Sequence, residues 1–291
     1  MSVVTVAIPF AGDDLRSFVS AVRSVYAQSL ADWSLLLVDD GADHALVSAA
    51  KRIEDERVCV VSDGRRVGLA GRLNQVAGLA RTPYLARMDA DDVMHPDRLA
   101  TQLATMERDG SLDVVGSRAV VIDEQNQVAG LLREGETVPA HAAGFLTSNA
   151  FTHPSVLGRT AWFVENPYDA TIGRAEDKDL WLRTHGHSHF YKDPAALLYY
   201  RVGRRYSRRK NVLTARDDRR VVLGSSARAV GTQTRARAAA RATAKELMYR
   251  AMPAGAWARI RDQRIVPLDA GGIVMHQQTV DRTLAVGVPG W

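Results

Sequence analysis

A single cysteine in 291 residues rules out a disulfide framework. Cys59 lies inside the apolar run Val58-Cys59-Val60-Val61, where a buried thiol is expected and redox chemistry is not. No stretch of about eighteen apolar residues occurs, so the sequence offers no membrane-spanning helix. The start, Met1-Ser2-Val3-Val4, leads straight into an apolar stretch without the basic region of a signal peptide, which points to a cytoplasmic protein. The chain also lacks internal repeats, and it has no glycine- and basic-rich phosphate loop after the first apolar run. Gly12-Asp13-Asp14 stands there instead, which is the wrong chemistry for the phosphate loop of a nucleotidyltransferase.

With 46% hydrophobic and 24% charged residues, the chain can bury a large α/β core, either as one domain or as a domain with an appendage. Its charge is uneven. Residues 1–200 hold 19 Lys plus Arg against 27 Asp plus Glu, whereas residues 201–264 hold 18 against 4. A mildly acidic body of residues 1–202 therefore precedes a basic, largely helical extension of residues 203–291, and such asymmetry suggests an anionic partner.

Hydrophobic periodicity predicts strands at Val3 to Phe10, Trp33 to Val38, Arg57 to Val61 and Tyr84 to Met88. Helices alternate with them, one carrying the stripe Leu15, Phe18, Val19, Val22, Val25 and Tyr26, another running from Pro96 to Arg108. This alternation predicts a parallel sheet with right-handed crossovers. Beyond the strand-like stretch Asp113 to Asp123, residues Glu124 to Ala143 read as a surface loop. A short helix around Asp179 to Thr184, closed by Gly186, and a strand at Ala195 to Val202 follow.

Acids gather just past the expected strand ends, at Asp39-Asp40-Gly41 and at Asp89-Ala90-Asp91-Asp92. Ligands of open α/β sheets bind at that rim. Three carboxylates within four residues make a poor core and a good site for magnesium or manganese, ions that prefer oxygen ligands and usually accompany phosphate. The alternative is that Asp91 or Asp92 caps the next helix.

Taken together, Val6-Ala7-Ile8-Pro9, Leu37-Val38-Asp39-Asp40-Gly41, Gly68-Leu69 with Leu73-Asn74, and Ala86-Arg87-Met88-Asp89-Ala90-Asp91-Asp92 with Pro96-Asp97-Arg98-Leu99 resemble the family-2 glycosyltransferases. The likeness continues through Val115-Gly116-Ser117, His153-Pro154-Ser155-Val156 and Ala175-Glu176-Asp177-Lys178-Asp179-Leu180-Trp181, covering residues 3 to about 202. It is nearest to bacterial members that build capsule, exopolysaccharide or lipopolysaccharide sugars. The resemblance implies a GT-A fold, with a Rossmann-like, mixed but mainly parallel sheet flanked by helices. It also implies an inverting, metal-dependent transfer of sugar from a nucleotide-diphosphate sugar, a UDP-sugar in the first instance, to a glycan or lipid-linked hydroxyl.

By the same resemblance, Asp91 is the direct ligand of a Mn2+ or Mg2+ ion, and Asp89 assists it or binds the donor sugar. Asp39 and Asp40 would meet the nucleoside, beside Pro9, Phe10 and Arg66. Asp177 would be the general base, with Glu176 and His153 on the acceptor side. Two departures stand out. Relatives usually carry an aromatic two residues after the proline and Ser after the glycine, where this chain has Ala11 and Ala42. Phe10 could supply a stacking face only from the wrong side of the strand. Residue chemistry alone leaves other readings open: Asp39 and Asp40 as turn acids, Glu176 and Asp177 as acids on a helix dipole, Trp181 as core.

Six basic residues in ten occupy Arg201 to Lys210, and Arg237, Arg241 and Lys245 recur at helical spacing, with Ala240, Ala244, Leu247, Met248 and Ala251 on another face. A basic amphipathic helix suggests peripheral attachment to an anionic membrane surface. A solvated surface is the alternative, and no recognised nucleic-acid motif accompanies it. The rival functions are a nucleotidyltransferase and a non-catalytic scaffold that binds nucleotide-sugar or lipid.

Overall fold

The first strand buries both of its faces, Val4, Val6, Ile8 and Phe10 on one side and Ala7 on the other, so it requires cover above and below. The structure, a computed structural model, describes residues 2–203, 208–224, 227–228, 230–253 and 256–291. Among these, strands β1 (Val4–Gly12), β2 (Trp33–Ala42), β3 (Val58–Val61) and β4 (Tyr84–Arg87) pair in parallel in the order β3-β2-β1-β4. Helices α1 (Leu15–Tyr26), α2 (His44–Lys51) and α3 (Gly68–Leu79) connect them. Phe18, Val22 and Val25 of α1 pack with the Val4 face, while Leu73, Val76 and Ala77 of α3 cover Ala7, Leu36 and Val38 on the opposite face.

Past β4 the alternation of strand and helix ends, and the sheet becomes mixed. The elements β5 (Val93–Met94), α4 (Arg98–Arg108), β6 (Val114–Ile122), β7 (Val128–Leu132), α5 (Ala142–Thr147), β8 (Leu157–Arg159), α6 (Thr160–Glu165), α7 (Glu176–Thr184) and β9 (Phe190–Arg201) follow. Strand β8 is antiparallel to both β4 and β6, and β9 runs parallel to β6 and antiparallel to β5. Residues 124–143 are not a loop throughout, because β7 pairs with β6 across a short turn. Its sequence, Val-Ala-Gly-Leu-Leu, is too short to show a clear alternation.

The remaining elements are α8 (Arg208–Leu223), α9 (Thr232–Ala251), α10 (Trp257–Asp262), β10 (Ile265–Val266) and α11 (Ala270–Leu284). They wrap back onto the body. Strand β10 pairs with β7, and the indole of Trp291 donates to the carbonyl of Ala49 in α2 at 2.8 Å. Arg204 and Arg205 of the basic run lie outside the described residues. Arg201 is consumed inside the fold, only 8% exposed. Helix α9 buries Ala238, Ala242, Glu246 and Tyr249 and exposes Leu247 and Met248, so its packed face is not the one its apolar spacing suggests. Burial of Glu246 is made tolerable by Arg250 and Arg219, at 2.6 and 3.0 Å. Cys59 is exposed rather than buried, because β3 is the sheet's edge and no described residue covers its side chain.

Candidate active site

Strand order reverses between β2-β1 and β1-β4, which opens a crevice beyond the carboxyl ends of β1 and β4. The end of β4 is held firmly. Met88 N–H donates to the Ala7 carbonyl at 3.0 Å, and buried Arg98 donates to the carbonyls of Arg87 and Val156 at 2.8 and 3.2 Å. Directly beyond, Asp89, Asp91 and Asp92 bring carboxylate oxygens within 4.8 Å of one another.

Asp92 is 1% exposed, accepts from the Arg201 amide at 2.8 Å through Oδ1, and has no partner for its buried Oδ2 among the described residues. Burial, then the charges of Asp91 and Asp89, raise its carboxyl well above the usual range. Although the Asp91 side chain reaches solvent, the protein packed around it and then the Asp89 charge push its carboxyl up to about 6. Three crowded acids, one with an orphaned buried oxygen, outnumber the Arg87 and Arg201 guanidiniums beside them, and a divalent cation fits that remaining deficit and that oxygen donor set. Neither Asp91 nor Asp92 caps α4, because the turn through Pro96 and Asp97 separates them from the helix start at Arg98.

Arg87 stands between this cluster and a second set of acids. It is 3% exposed and donates to Asp89 Oδ1 at 2.6 Å, while its Nε and Nη1 meet no acceptor among the described residues. Burial opposes its charge, but Asp89, Tyr168 and Glu176 outweigh that and raise its pKa. Arg87 falls within a strand, where the sequence gives no sign that its side chain would face the site.

Helix α7 begins with Glu176 and Asp177, launched from Ala175 at φ 66°, a left-handed conformation rare for a residue with a Cβ. Glu176 is buried, and burial followed by the Asp177 charge raises it to about 7. Burial also raises Asp177, against the pull of Lys178 and Arg87. His153 is hydrogen-bonded through Nε2 to the Tyr168 hydroxyl at 2.9 Å, and its Nδ1 lies 3.7 Å from Glu176. Burial, then Arg87, holds the His153 pKa well below its usual value, so the ring is neutral at pH 7 and its contact with Glu176 is polar rather than ionic. Trp181 belongs to the core, packed among Phe151, Trp162 and Phe190.

Asp89 is the wall between two cavities. On one side, Pro9, Ala11, Gly12, Asp13 and Asp91 surround about 280 Å³. On the other, Arg87, His153, Glu176, Asp177 and Tyr200 are among the residues around about 640 Å³. Asp177 and Asp89 thus face one space, and Asp91 borders the adjoining one. That arrangement brings a carboxylate from α7 to the same cavity as the acid cluster, and a proton acceptor near a leaving group would need such a shared space.

The remaining candidates lie at the end of β2. Asp39 accepts from Ala42 N–H and Ser62 Oγ, each at 2.7 Å, and Asp40 accepts from the N–H groups of Val67 and Gly68 and from Arg72. Gly68, at φ +81°, takes a conformation that a side chain would strain while delivering its N–H to Asp40. Arg66 folds back on the carbonyls of Asp40 and Gly41 at 3.3 Å. Phe10 is 1% exposed with its ring 5.0 Å from that of Phe18, so the core takes the face it would need for stacking on a base.

Residues 5–193 match the family model described as Glycosyl transferase family 2. Among curated proteins, EpsE of Bacillus subtilis, named as a glycosyltransferase, is 29% identical over 174 residues, or 58% of this chain. The matched region spans 62% of that relative's length. Among solved structures, S. aureus TarS (1–349) in complex with UDP-GlcNAc has a TM-score of 0.59 at 14% identity, covering 97% of this chain and 83% of that one. A mannosyltransferase from Pyrobaculum calidifontis in complex with GDP-Man and Mn2+ has a TM-score of 0.60 at 15% identity, covering 98% and 85%. At these identities the likeness shows the fold.

Proposed function

The chain belongs to glycosyl transferase family 2, and from that premise we propose that it moves a sugar from a nucleotide-diphosphate sugar to a hydroxyl, with inversion at the anomeric carbon. Its acceptor is a glycan or lipid-linked sugar of cell-surface polysaccharide biosynthesis. One observation carries the reading: Asp177 and Asp89 line the same cavity, with Asp91 just behind Asp89.

The donor's diphosphate lies in the crevice by Pro9, Ala11 and Asp91, and its sugar reaches past Asp89 toward Asp177. Asp91 and Asp89 would hold a divalent cation, which when bound would supply positive charge for the departing diphosphate. Arg87 fixes the Asp89 carboxylate. Asp177 takes the proton of the incoming acceptor hydroxyl from the face opposite the leaving group, and that in-line approach inverts the configuration. His153 lies against Glu176 beside the base. A nucleoside is received near Asp39 and Asp40, whose carboxylates would exchange part of their present hydrogen bonds for it. UDP is the favoured nucleotide, because an Asp at the end of β2 can accept from uracil N–H.

Peripheral attachment to the membrane is part of the same proposal. Among the described residues no helix is long and apolar enough to cross a bilayer, and α9 exposes Leu247 and Met248 beside basic residues.

The test is nucleotide release from a panel of UDP-, GDP- and dTDP-sugars with Mn2+. One donor should support turnover, and Asp91→Ala should reduce it about 100-fold or more, because the diphosphate then leaves without its neutralising charge. Absence of release from every donor, or full activity in the Asp91 variant, contradicts the proposal.

A further inference from the structure

The larger cavity is not acidic throughout. Away from Asp89 and Asp177 its wall is made by Arg133, Arg174 and Arg264. These come from three separate segments: Arg133 follows β7, Arg264 precedes β10 and accepts from the Arg133 N–H through its carbonyl, and Arg174 lies in the loop before α7. The acids of the cavity do not account for Arg133 or Arg174. Asp89 is paired with Arg87 at 2.6 Å and Glu134 with buried Lys192 at 2.7 Å, while Asp177 feels Lys178 and Arg87. Arg133 spends only its backbone N–H and Nε, on the carbonyls of Arg264 and Gln263, and Arg174 has no hydrogen bond or ion pair among the described residues.

The positive charge continues. Thr147 borders both this cavity and a neighbouring cleft of about 500 Å³ between α5, α7, α8 and α9, which Arg241 and Lys245 line. Lys245 lies within electrostatic reach of Lys178, Arg241 and Arg264, with Asp218 as the opposing charge. Desolvation and those cations lower its pKa. Cations that line clefts suit an extended anionic chain, whereas an outer face such as that of α9 at Leu247 suits a bilayer surface.

Building on the glycosyltransferase reading, we propose that the acceptor is an anionic glycan, bearing carboxylate or phosphate groups, that leaves the reaction centre along Arg133, Arg174 and Arg264 and continues over Arg241 and Lys245. Guanidinium forks recognise both oxyanions. The acceptor hydroxyl would meet Asp177 while the next charged unit down the chain meets the arginines.

The experiment measures binding to the full chain, without donor, of fluorescent trigalacturonate, a glycerol-phosphate trimer and neutral maltotriose. At least one anionic trimer should bind about tenfold or more tightly than maltotriose, and more weakly as salt rises. Its identity decides between carboxylate and phosphate. The doubly reversed variant Arg133→Glu with Arg174→Glu should weaken that binding about tenfold or more, and the two Lys substitutions should restore most of it. A thermal melt of each variant separates misfolding from lost charge. Equal binding of maltotriose, no binding of either anionic trimer at millimolar concentration, indifference to charge reversal, or binding confined to phosphatidylglycerol vesicles would each overturn the inference. Donor turnover is assayed separately, so failure here leaves the glycosyltransferase assignment standing, and failure of donor turnover leaves the binding result readable.

Discussion

Glu176 shows how one buried residue can oppose stability and serve function. Its carboxyl is raised to about 7 from an ordinary value of 4.5, so between those pH values the folded protein binds more protons than the unfolded chain. Stability contributed by this group therefore rises as pH falls from about 7 toward 4.5 and is lost as pH climbs through 7. Catalysis runs the other way, since Asp177 must be ionised to accept a proton and burial raises its carboxyl. The acid limb of kcat/KM should lie above the ordinary aspartate range, and Glu176→Gln should flatten the dependence of the melting temperature on pH between about 4.5 and 7. An acid limb at the ordinary aspartate value, or an unchanged melting profile in the variant, would contradict this reading. The resemblance led to both acids, but their burial came from His153, Tyr168 and Arg87 closing around them, and no local pattern in the sequence signals that.

At the level of elements, the acid loop after β4 is held by a strand more than a hundred residues away. Arg201, at the end of β9, gives its backbone N–H to Asp92, its Nε to the Asp91 carbonyl at 2.6 Å, and its remaining nitrogens to Asp123 and Asn126 in the turn before β7. Sequence counting places Arg201 in the cationic run, while the fold makes it a clamp. Arg201→Lys keeps the charge and loses the fork, so Mn2+ affinity measured by calorimetry should fall about tenfold. Unchanged affinity would show that the loop keeps its shape unaided. Strand ends with acids were legible because a parallel strand is apolar until it stops. Strand β7 and the packed face of α9 were not, because one is too short for a period to show and the other buries a glutamate that distant arginines neutralise. Cys59 was misread for a related reason: an apolar run gives no sign of being an edge.

Across the whole molecule, the parallel half of the sheet supplies the crevice, and the mixed half supplies the opposing wall with α7. Gly116 marks how closely those parts pack, since a Cβ there would collide with the ring of Phe151, itself edge-on to Trp181 of α7. The order of motifs made both halves recognisable, but it could not show that Asp89 would separate two cavities or that arginines would line the larger one. The central claim is that Asp177 acts as base across the cavity from Asp89 and Asp91. The most direct measurement is the single-turnover rate of Asp177→Asn with saturating donor and acceptor, beside donor affinity and the anomeric configuration of the wild-type product by NMR. Loss of rate by about a thousandfold with donor affinity retained and an inverted product is the predicted result. A variant rate within a few fold of wild type, or a product that keeps the donor's configuration, would contradict it.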